Sequence, residues 1–289
     1  MVRLSVNVNK VATLRNSRGG QAPSVLEAVR VILAAGAPGI TVHPRADARH
    51  ITRGDVLDIA QELSQYRRDS AEQHRRTSST PAPEHPGIST RAPEHPSTST
   101  RAPVHPGTRA PFVEFNIEGD PRPDLMALVH EVRPDQCTLV PVLPSEVTSQ
   151  GRWPEAQAGE PLRRTIAALR RDGIRVSVFI DPDAELVRWA ADRGADRVEL
   201  FTEPFARAWV AGPGEAAAAL KACALAAEAA HALGLGVNAG HDLDHENLVL
   251  FRELPHLAEV SIGHALISRA LFNGLDATVR QYLSVLAGE

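Results

Sequence analysis

The chain has 289 residues, 43% of them hydrophobic, which suits one large domain with a sizeable core or two small ones. Its formal net charge of -4 leaves no long basic field for nucleic acid, although arginines cluster near the front. No apolar run approaches the roughly 18 residues of a membrane span, so no membrane partner is expected. The opening VRLSVNVNK reads as a strand and not as a signal peptide. Cys137 and Cys223 lie in an apolar run and an Ala-rich helix, outside any CxxC pattern, as buried free thiols would. A cytoplasmic protein is the expectation.

The apolar segments alternate in kind along the chain. A strand is predicted over 3–8, then a helix over 24–35, opened by Ser24 and followed by Gly36. GITVH at 39–43 is the next strand, and a helix over 54–67 follows on Val56, Ile59, Ala60 and Leu63. Strands recur over 111–117, 136–142, 174–180, 196–201, 235–239 and 258–262. Helices lie between them over 122–132, 158–171, 183–192, 214–232 and 244–253, with a last one over 265–286. The helix-to-strand turns repeat one chemistry, a glycine just before the strand, as in AAGAPGITV, LRRDGIRVSV, AADRGADRVEL and HALGLGVNA. Glycine there ends the helix and turns the chain straight into the next strand. Strict alternation of eight strands with eight helices points to an α/β fold, a (β/α)8 TIM barrel. A doubly wound open sheet fits less well, because NKVATLRNSRGG after the first strand is not G-x-G-x-x-G.

Residues 81–110 break this pattern. PAPEHPGIST, RAPEHPSTST and RAPVHPGTRA are three copies of a ten-residue repeat rich in Pro, Ser and Thr. Such a segment buries too little to offset its ordering entropy. With its polar lead-in it spans 68–110, a low-complexity insertion between the second helix and the third strand, expected to be disordered. That position is opposite the active-site end of a barrel. Its spaced His85, His95 and His105 follow from duplication of one histidine.

Five apolar runs end in residues able to do chemistry: ITVH at His43, VEFNIE at Glu118, VSVFI at Asp181, LGVNAG just before His241, and VSIG just before His264. One shared end is what a ring of parallel strands would give. HPRADARH carries His43, Arg45, Arg49 and His50 in eight residues, an acid–base pair beside anion-binding forks. Asn7, Asn9 and Lys10 close the first strand, and Arg15 and Arg18 follow, as anion binders or salt-bridge partners. Glu118, sheltered in a barrel mouth, would have a raised pKa and suit a general base. Thr148, in PVLPSEVTSQG, offers one hydroxyl. Beyond Gly240 come His241 and Asp242, while Asp244 reads as a helix cap. His241 and His245 form H-x-x-x-H without the glutamate of H-E-x-x-H, so no metal is expected. Gly263 and His264 open a helix whose backbone N–H groups suit phosphate.

ATLRNSRGG, GITVHPRADARHIT, CTLVPVLPSEVTSQG, VSVFIDPD, VNAGHDLDHEN and SIGHALISRALFNGL occur in that order. Together they resemble the pyridoxine 5'-phosphate synthase family, from residue 4 almost to 285, leaving out 68–110. The resemblance implies condensation of 1-deoxy-D-xylulose 5-phosphate with 3-amino-2-oxopropyl phosphate, to give pyridoxine 5'-phosphate, phosphate and water. It implies a TIM barrel, an octamer built from dimers, and neither metal nor organic cofactor. It makes His43 a catalytic histidine, Glu118 the general base and His241 the proton donor. Asn7, Arg18, Gly263 and His264 would hold the aminoketone phosphate. Arg45, His50 and Thr148 would hold the deoxyxylulose phosphate.

This chain departs from the family pattern at four positions. Asn9 and Lys10 stand where Asp-His is usual in Asn-x-Asp-His, Asp242 where glycine is common, and Glu203 within Thr202-Glu203-Pro204 where Thr-Gly is common. Asn9, Lys10 and Asp242 stay candidates for substrate binding. Two other readings remain open: a different phosphosugar lyase or isomerase on the same barrel, and a non-catalytic interaction protein using the repeat as a docking arm.

Overall fold

Eight parallel strands pair in sequence order, and the last closes on the first. A computed structural model describes residues 1–78, 112–141 and 153–289. The strands are β1 (Arg3–Asn7), β2 (Gly39–Val42), β3 (Glu114–Gly119), β4 (Gln136–Leu139), β5 (Arg175–Ile180), β6 (Arg197–Phe201), β7 (Gly236–Gly240) and β8 (Leu257–Ile262). Together they form a closed barrel, so the expected TIM barrel is the fold.

The two faces of the strands differ in chemistry. Residues of alternate parity point to opposite sides of a sheet. Leu4, Val6, Ile40, Val42, Ile117, Leu139, Val176, Val178, Val198, Leu200, Val237 and Val260 are all fully or almost fully buried between sheet and helices. The other parity carries Ser5, Thr41, Asn116, Thr138, Ser177, Glu199, Asn238 and Glu259, also buried, inside the ring. Register aligns these polar residues across strands: Thr41 with Asn116, Glu118 with Thr138, Glu199 with Asn238, and Asn238 with Glu259. Hydrogen bonds knit them, as from Thr138 Oγ1 to Asn116 Oδ1 at 3.1 Å and between the Ser5 and Thr41 hydroxyls at 2.7 Å. At the amino-terminal end of the ring, buried Glu114 is held between the guanidinium groups of Arg3 and Arg175.

The helices depart from strict alternation. The described elements are α1 (Asn9–Asn16), α2 (Val25–Ala34), α3 (Arg53–Ser78), α4 (Pro123–Val132), α5 (Glu155–Ala158), α6 (Glu160–Arg171), α7 (Ala184–Asp192), α8 (Glu203–Ala211), α9 (Pro213–Ala232), α10 (Leu248–Phe251), α11 (His264–Asn273) and α12 (Leu275–Ala287). Five features correct the sequence reading. α8 is a helix where none was expected, and the helix expected over 244–253 is only α10. α1 occupies a segment read as loop, burying only Val11 and Ala12. The single helix expected over 265–286 is two, parted at Gly274, whose φ of 81° is costly for other residues. The helix expected to stop at 67 runs to Ser78, so 68–78 is helical where disorder was expected. Its tail lacks an apolar stripe but has same-face polar pairs, Gln65 with Asp69 and Arg76 with Glu72. The repeat at 81–110 lies outside the described residues.

The four glycine turns do what the sequence implied. In each, the glycine N–H and the next residue's N–H return to the preceding helix, as Gly36 to Leu33 and Ala37 to Ile32. Gly173, Gly194 and Gly234 repeat this pattern. Long turns and helix starts are thereby left for the carboxyl ends of the strands. Among the described residues, no helix is long and apolar enough to cross a membrane.

Candidate active site

A cavity of about 330 Å³ opens at the carboxyl ends of the strands. Asn7, Asn9, Lys10, His43, Arg45, His50, Glu118, His241, Asp242, Gly263 and His264 all line it. Arg18 is exposed beyond the end of α1 and does not line this cavity, because α1 carries the chain outward before that residue. Thr148 lies outside the described residues. Arg15 takes its structural alternative, a two-pronged pair with Asp55 at 2.5 and 2.8 Å. Arg49 pairs with Asp47. Asp181 lines a separate hollow with Trp153 and Trp189.

The first strand end is a small scaffold. Asn7 Oδ1 accepts the backbone N–H of Asn9 at 3.0 Å, bending the chain into α1. Asn9 Oδ1 accepts the N–H of His43 at 2.9 Å, which fixes the end of β2 beside the end of β1. Asn7 Nδ2 donates to Glu118 Oε2 at 3.4 Å. Ser261 Oγ, from β8, donates to Glu118 Oε1 at 3.3 Å. The Nδ1 of His43 stands 3.8 Å from Glu118 Oε2. Glu118 is thus hydrogen-bonded from β1 and β8, with His43 beside it just beyond β2.

Burial sets the charges here. It pushes the Glu118 carboxyl up to about 7; the Ser261 hydrogen bond opposes this and Glu259 adds to it. Burial pushes His43 down to about 3, aided by Arg45 and His241. A glutamic acid poised near neutrality therefore faces a neutral imidazole. His43 Nε2 is buried without a hydrogen-bond partner.

His241 is held differently. Its ring packs on Phe179 and Phe201, with centroids 4.8 and 5.6 Å apart. Burial lowers its pKa and the neighbouring Asp242 raises it. His241 and Asp242 both have positive φ, 78° and 58°, a costly pair for side-chain-bearing residues. Thr202 Oγ1 donates to the Gly240 carbonyl at 2.6 Å and to the His241 carbonyl. Asn247 Nδ2 donates to the Asp242 carbonyl at 3.1 Å. Asp244 accepts the N–H groups of Glu246 and Asn247, a turn-capping role close to the one read for it.

Beside the β1 end that carries Lys10, α11 begins at the cavity wall with Gly263, His264 and Ala265. A Cβ on Gly263 would stand 3.0 Å from Asn7 Cβ and 3.1 Å from Asn7 O, so a side chain here would press Asn7 back by a few tenths of an ångström. Unpaired N–H groups at a helix start form an anion seat.

Glu199 and Ser261 also line the cavity, and sequence reading missed both. Each sits within a strand rather than beyond its end. The available signal was alternation: a carboxylate inside the apolar run VEL occupies the inward parity. Burial, with Glu118 and Glu259 nearby, holds Glu199 well above the usual carboxylate range, and its Oε2 has no partner. Among the described residues, no three His, Cys, Asp or Glu side chains are grouped to hold a metal ion.

The family described as "Pyridoxal phosphate biosynthesis protein PdxJ" matches residues 4–76 and 104–288. The chain belongs to this family. The unmatched 77–103 contains the first two copies of the repeat. The pyridoxine 5'-phosphate synthase of Porphyromonas gingivalis is 43% identical over 288 residues, covering 99% of this chain and 100% of that one. That of Xanthomonas oryzae pv. oryzae is 44% identical over 295 residues, covering 99% and 97%. Solved structures support the barrel alone. Thiamine phosphate pyrophosphorylase from Pyrococcus furiosus has a TM-score of 0.55 at 11% identity, covering 99% of this chain and 96% of that one. The 3-hexulose-6-phosphate synthase of Salmonella typhimurium has 0.54 at 12%, covering 99% of each.

Proposed function

We infer that this chain is a pyridoxine 5'-phosphate synthase. It condenses 1-deoxy-D-xylulose 5-phosphate with 3-amino-2-oxopropyl phosphate, giving pyridoxine 5'-phosphate, phosphate and water. The observation that carries this is identity above 40% over nearly the whole chain with proteins of that name. The cavity's chemistry agrees with it.

Joining the amine of one substrate to the ketone of the other requires a proton for the departing hydroxyl. Forming enols, expelling phosphate and aromatising the ring require protons to be removed and returned repeatedly. Glu118, poised near pH 7, takes and returns them. His43, neutral and 3.8 Å away, hydrogen-bonds the reacting oxygen and hands protons to Glu118. His241, on the opposite wall, is the proton donor. A bound phosphate dianion would raise both histidines, since a nearby anion favours the imidazolium.

Two anion seats flank these groups. The start of α11, with Gly263, His264 and Asn7, suits the aminoketone phosphate. Lys10, Arg45 and His50 suit the deoxyxylulose phosphate. Asn9 positions His43. An octamer built from dimers in the cytoplasm completes this reading, with exposed Arg18 outside the chain's own cavity.

Phosphate release from purified protein tests the reading. It should need both substrates, and Glu118→Gln should lower kcat by about 10²- to 10⁴-fold. Release from either substrate alone would favour a phosphosugar lyase on the same barrel.

A further inference from the structure

Two helix starts beside the cavity spend their capping groups elsewhere. Thr202 stands at the N-cap of α8 and Asn247 at that of α10. Threonine and asparagine in that position ordinarily accept a backbone N–H of the helix's own first turn. Neither does so here. Both turn to the exit of β7 instead. The Thr202 hydroxyl shares its proton between the carbonyls of Gly240 and His241. Asn247 Nδ2 donates to the Asp242 carbonyl at 3.1 Å, while its Oδ1 accepts the Asp244 N–H at 2.9 Å. The successive carbonyls of Gly240, His241 and Asp242 are thus held by two side chains that are fully or almost fully buried.

The strand ladder does not need this hydroxyl. The Thr202 backbone N–H already reaches the Gly240 carbonyl at 3.1 Å. What the hydroxyl adds is a hold on His241, the first residue past β7. His241 and Asp242 carry φ of 78° and 58°, which side-chain-bearing residues keep only where their surroundings over-determine them. Asp242 stands where the family commonly has glycine, so the turn costs more to hold in this chain. Released, it is free to relax to negative φ and to take the imidazole with it. The same strand exit also grips the ring. Phe201, just before Thr202, meets the imidazole edge-on at 5.6 Å, and Phe179 from β5 lies 4.8 Å away.

We propose that Thr202 and Asn247 are positioning residues for His241, holding the left-handed turn that sets its imidazole on the cavity wall. The proposal deepens the synthase reading and rests on it for the proton transfer that His241 performs. His241 lines the cavity, whereas neither Thr202 nor Asn247 is among the residues that do. Their loss therefore acts on turnover more than on substrate binding, because a proton donor displaced by about 1 Å loses rate steeply.

Thr202→Val keeps the shape and loses the hydroxyl, while Thr202→Ser keeps the hydroxyl. Two readouts on the full chain test them: steady-state kinetics, and hydrogen exchange at each histidine ring Cε1–H followed by mass spectrometry. Thr202→Val should lower kcat about tenfold or more, with KM for both substrates within about threefold. Exchange at His241 should quicken by about threefold or more as the ring leaves Phe179 and Phe201, with His43 unchanged. Thr202→Ser should bring both readouts back to within about threefold of wild type. Wild-type kcat in Thr202→Val, a raised KM at unchanged kcat, exchange that quickens equally at His241 and His43, or failure of serine to rescue would overturn the proposal. If Thr202→Val does not fold, Asn247→Ala decides by the same pair of readouts: lost kcat with quickened His241 alone upholds it, and any other pattern sinks it. If wild type is inactive with both substrates, the synthase reading fails. Exchange then decides the clamp separately: quickening at His241 alone in Thr202→Val upholds it, and an unchanged His241 rate sinks it.

Discussion

Glu118 shows how one carboxyl trades stability for chemistry. Its folded pKa of about 7 lies above the ordinary 4.5, so the folded protein holds a proton there that the unfolded chain has released. Folding stability from this group is therefore full at low pH and falls as pH rises from 4.5 through 7. Glu118→Gln, which cannot ionise, should melt at nearly the wild-type temperature at about pH 4 and higher than wild type at about pH 8. Calorimetry at the two pH values checks this. In wild type, kcat/KM should rise through a limb near 7 as Glu118 ionises, and that limb should vanish from any residual activity of the variant. Asp242 makes a second exchange. Asp242→Gly would relieve the left-handed backbone at φ 58°, stabilising the fold by about 1 kcal/mol. It would also remove the carboxylate that raises His241. A higher melting temperature with the proton-donor limb moved to lower pH is the expected result. Most of these residues were legible because they end apolar runs. Glu199 and Ser261 were not, because a lone sequence does not say which parity of a strand faces inward.

At the scale of elements, strand positions were readable and helix boundaries less so. Strands are short apolar runs with glycine turns before them, and both signals are local. α1 is eight residues long and buries two of them, so its apolar period is too faint to separate from loop. The tail of α3 is held by polar pairs and helix-forming residues, and no apolar stripe marks it. The site depends on element spacing as well as on side chains. A Cβ on Gly240 would lie 2.5 Å from Glu199 Oε1 and 3.3 Å from the Ser261 carbonyl. Gly240→Ala should therefore displace Glu199 and lower kcat by about tenfold or more, with circular dichroism unchanged. Wild-type kcat in that variant would mean that Glu199 can move without consequence. Ser24 caps α2 through the Glu27 N–H at 3.2 Å, so Ser24→Ala should cost about 1 kcal/mol in denaturant unfolding and leave kcat alone.

Over the whole molecule, stability and chemistry occupy opposite ends of the barrel. Glycine turns and the Arg3, Glu114 and Arg175 cluster lie at the amino-terminal end, and the cavity lies at the other. In sequence the repeat falls between α3 and β3, and β3 begins at the amino-terminal end of the barrel. Deleting 81–110 should leave kcat within about twofold, since β3 begins at the end of the barrel away from the cavity and shortening a connection changes closure entropy little. A collapse of activity would show that the repeat touches the barrel body. Light scattering at eight times the 31.1 kDa chain mass would establish the octamer. The central claim is the reaction itself. Purified full-length protein, given both phosphorylated substrates, should form pyridoxine 5'-phosphate and inorganic phosphate in equal amounts, followed by mass spectrometry and phosphate assay. Folded protein that consumes neither substrate, or that releases phosphate without forming the pyridine ring, would contradict it.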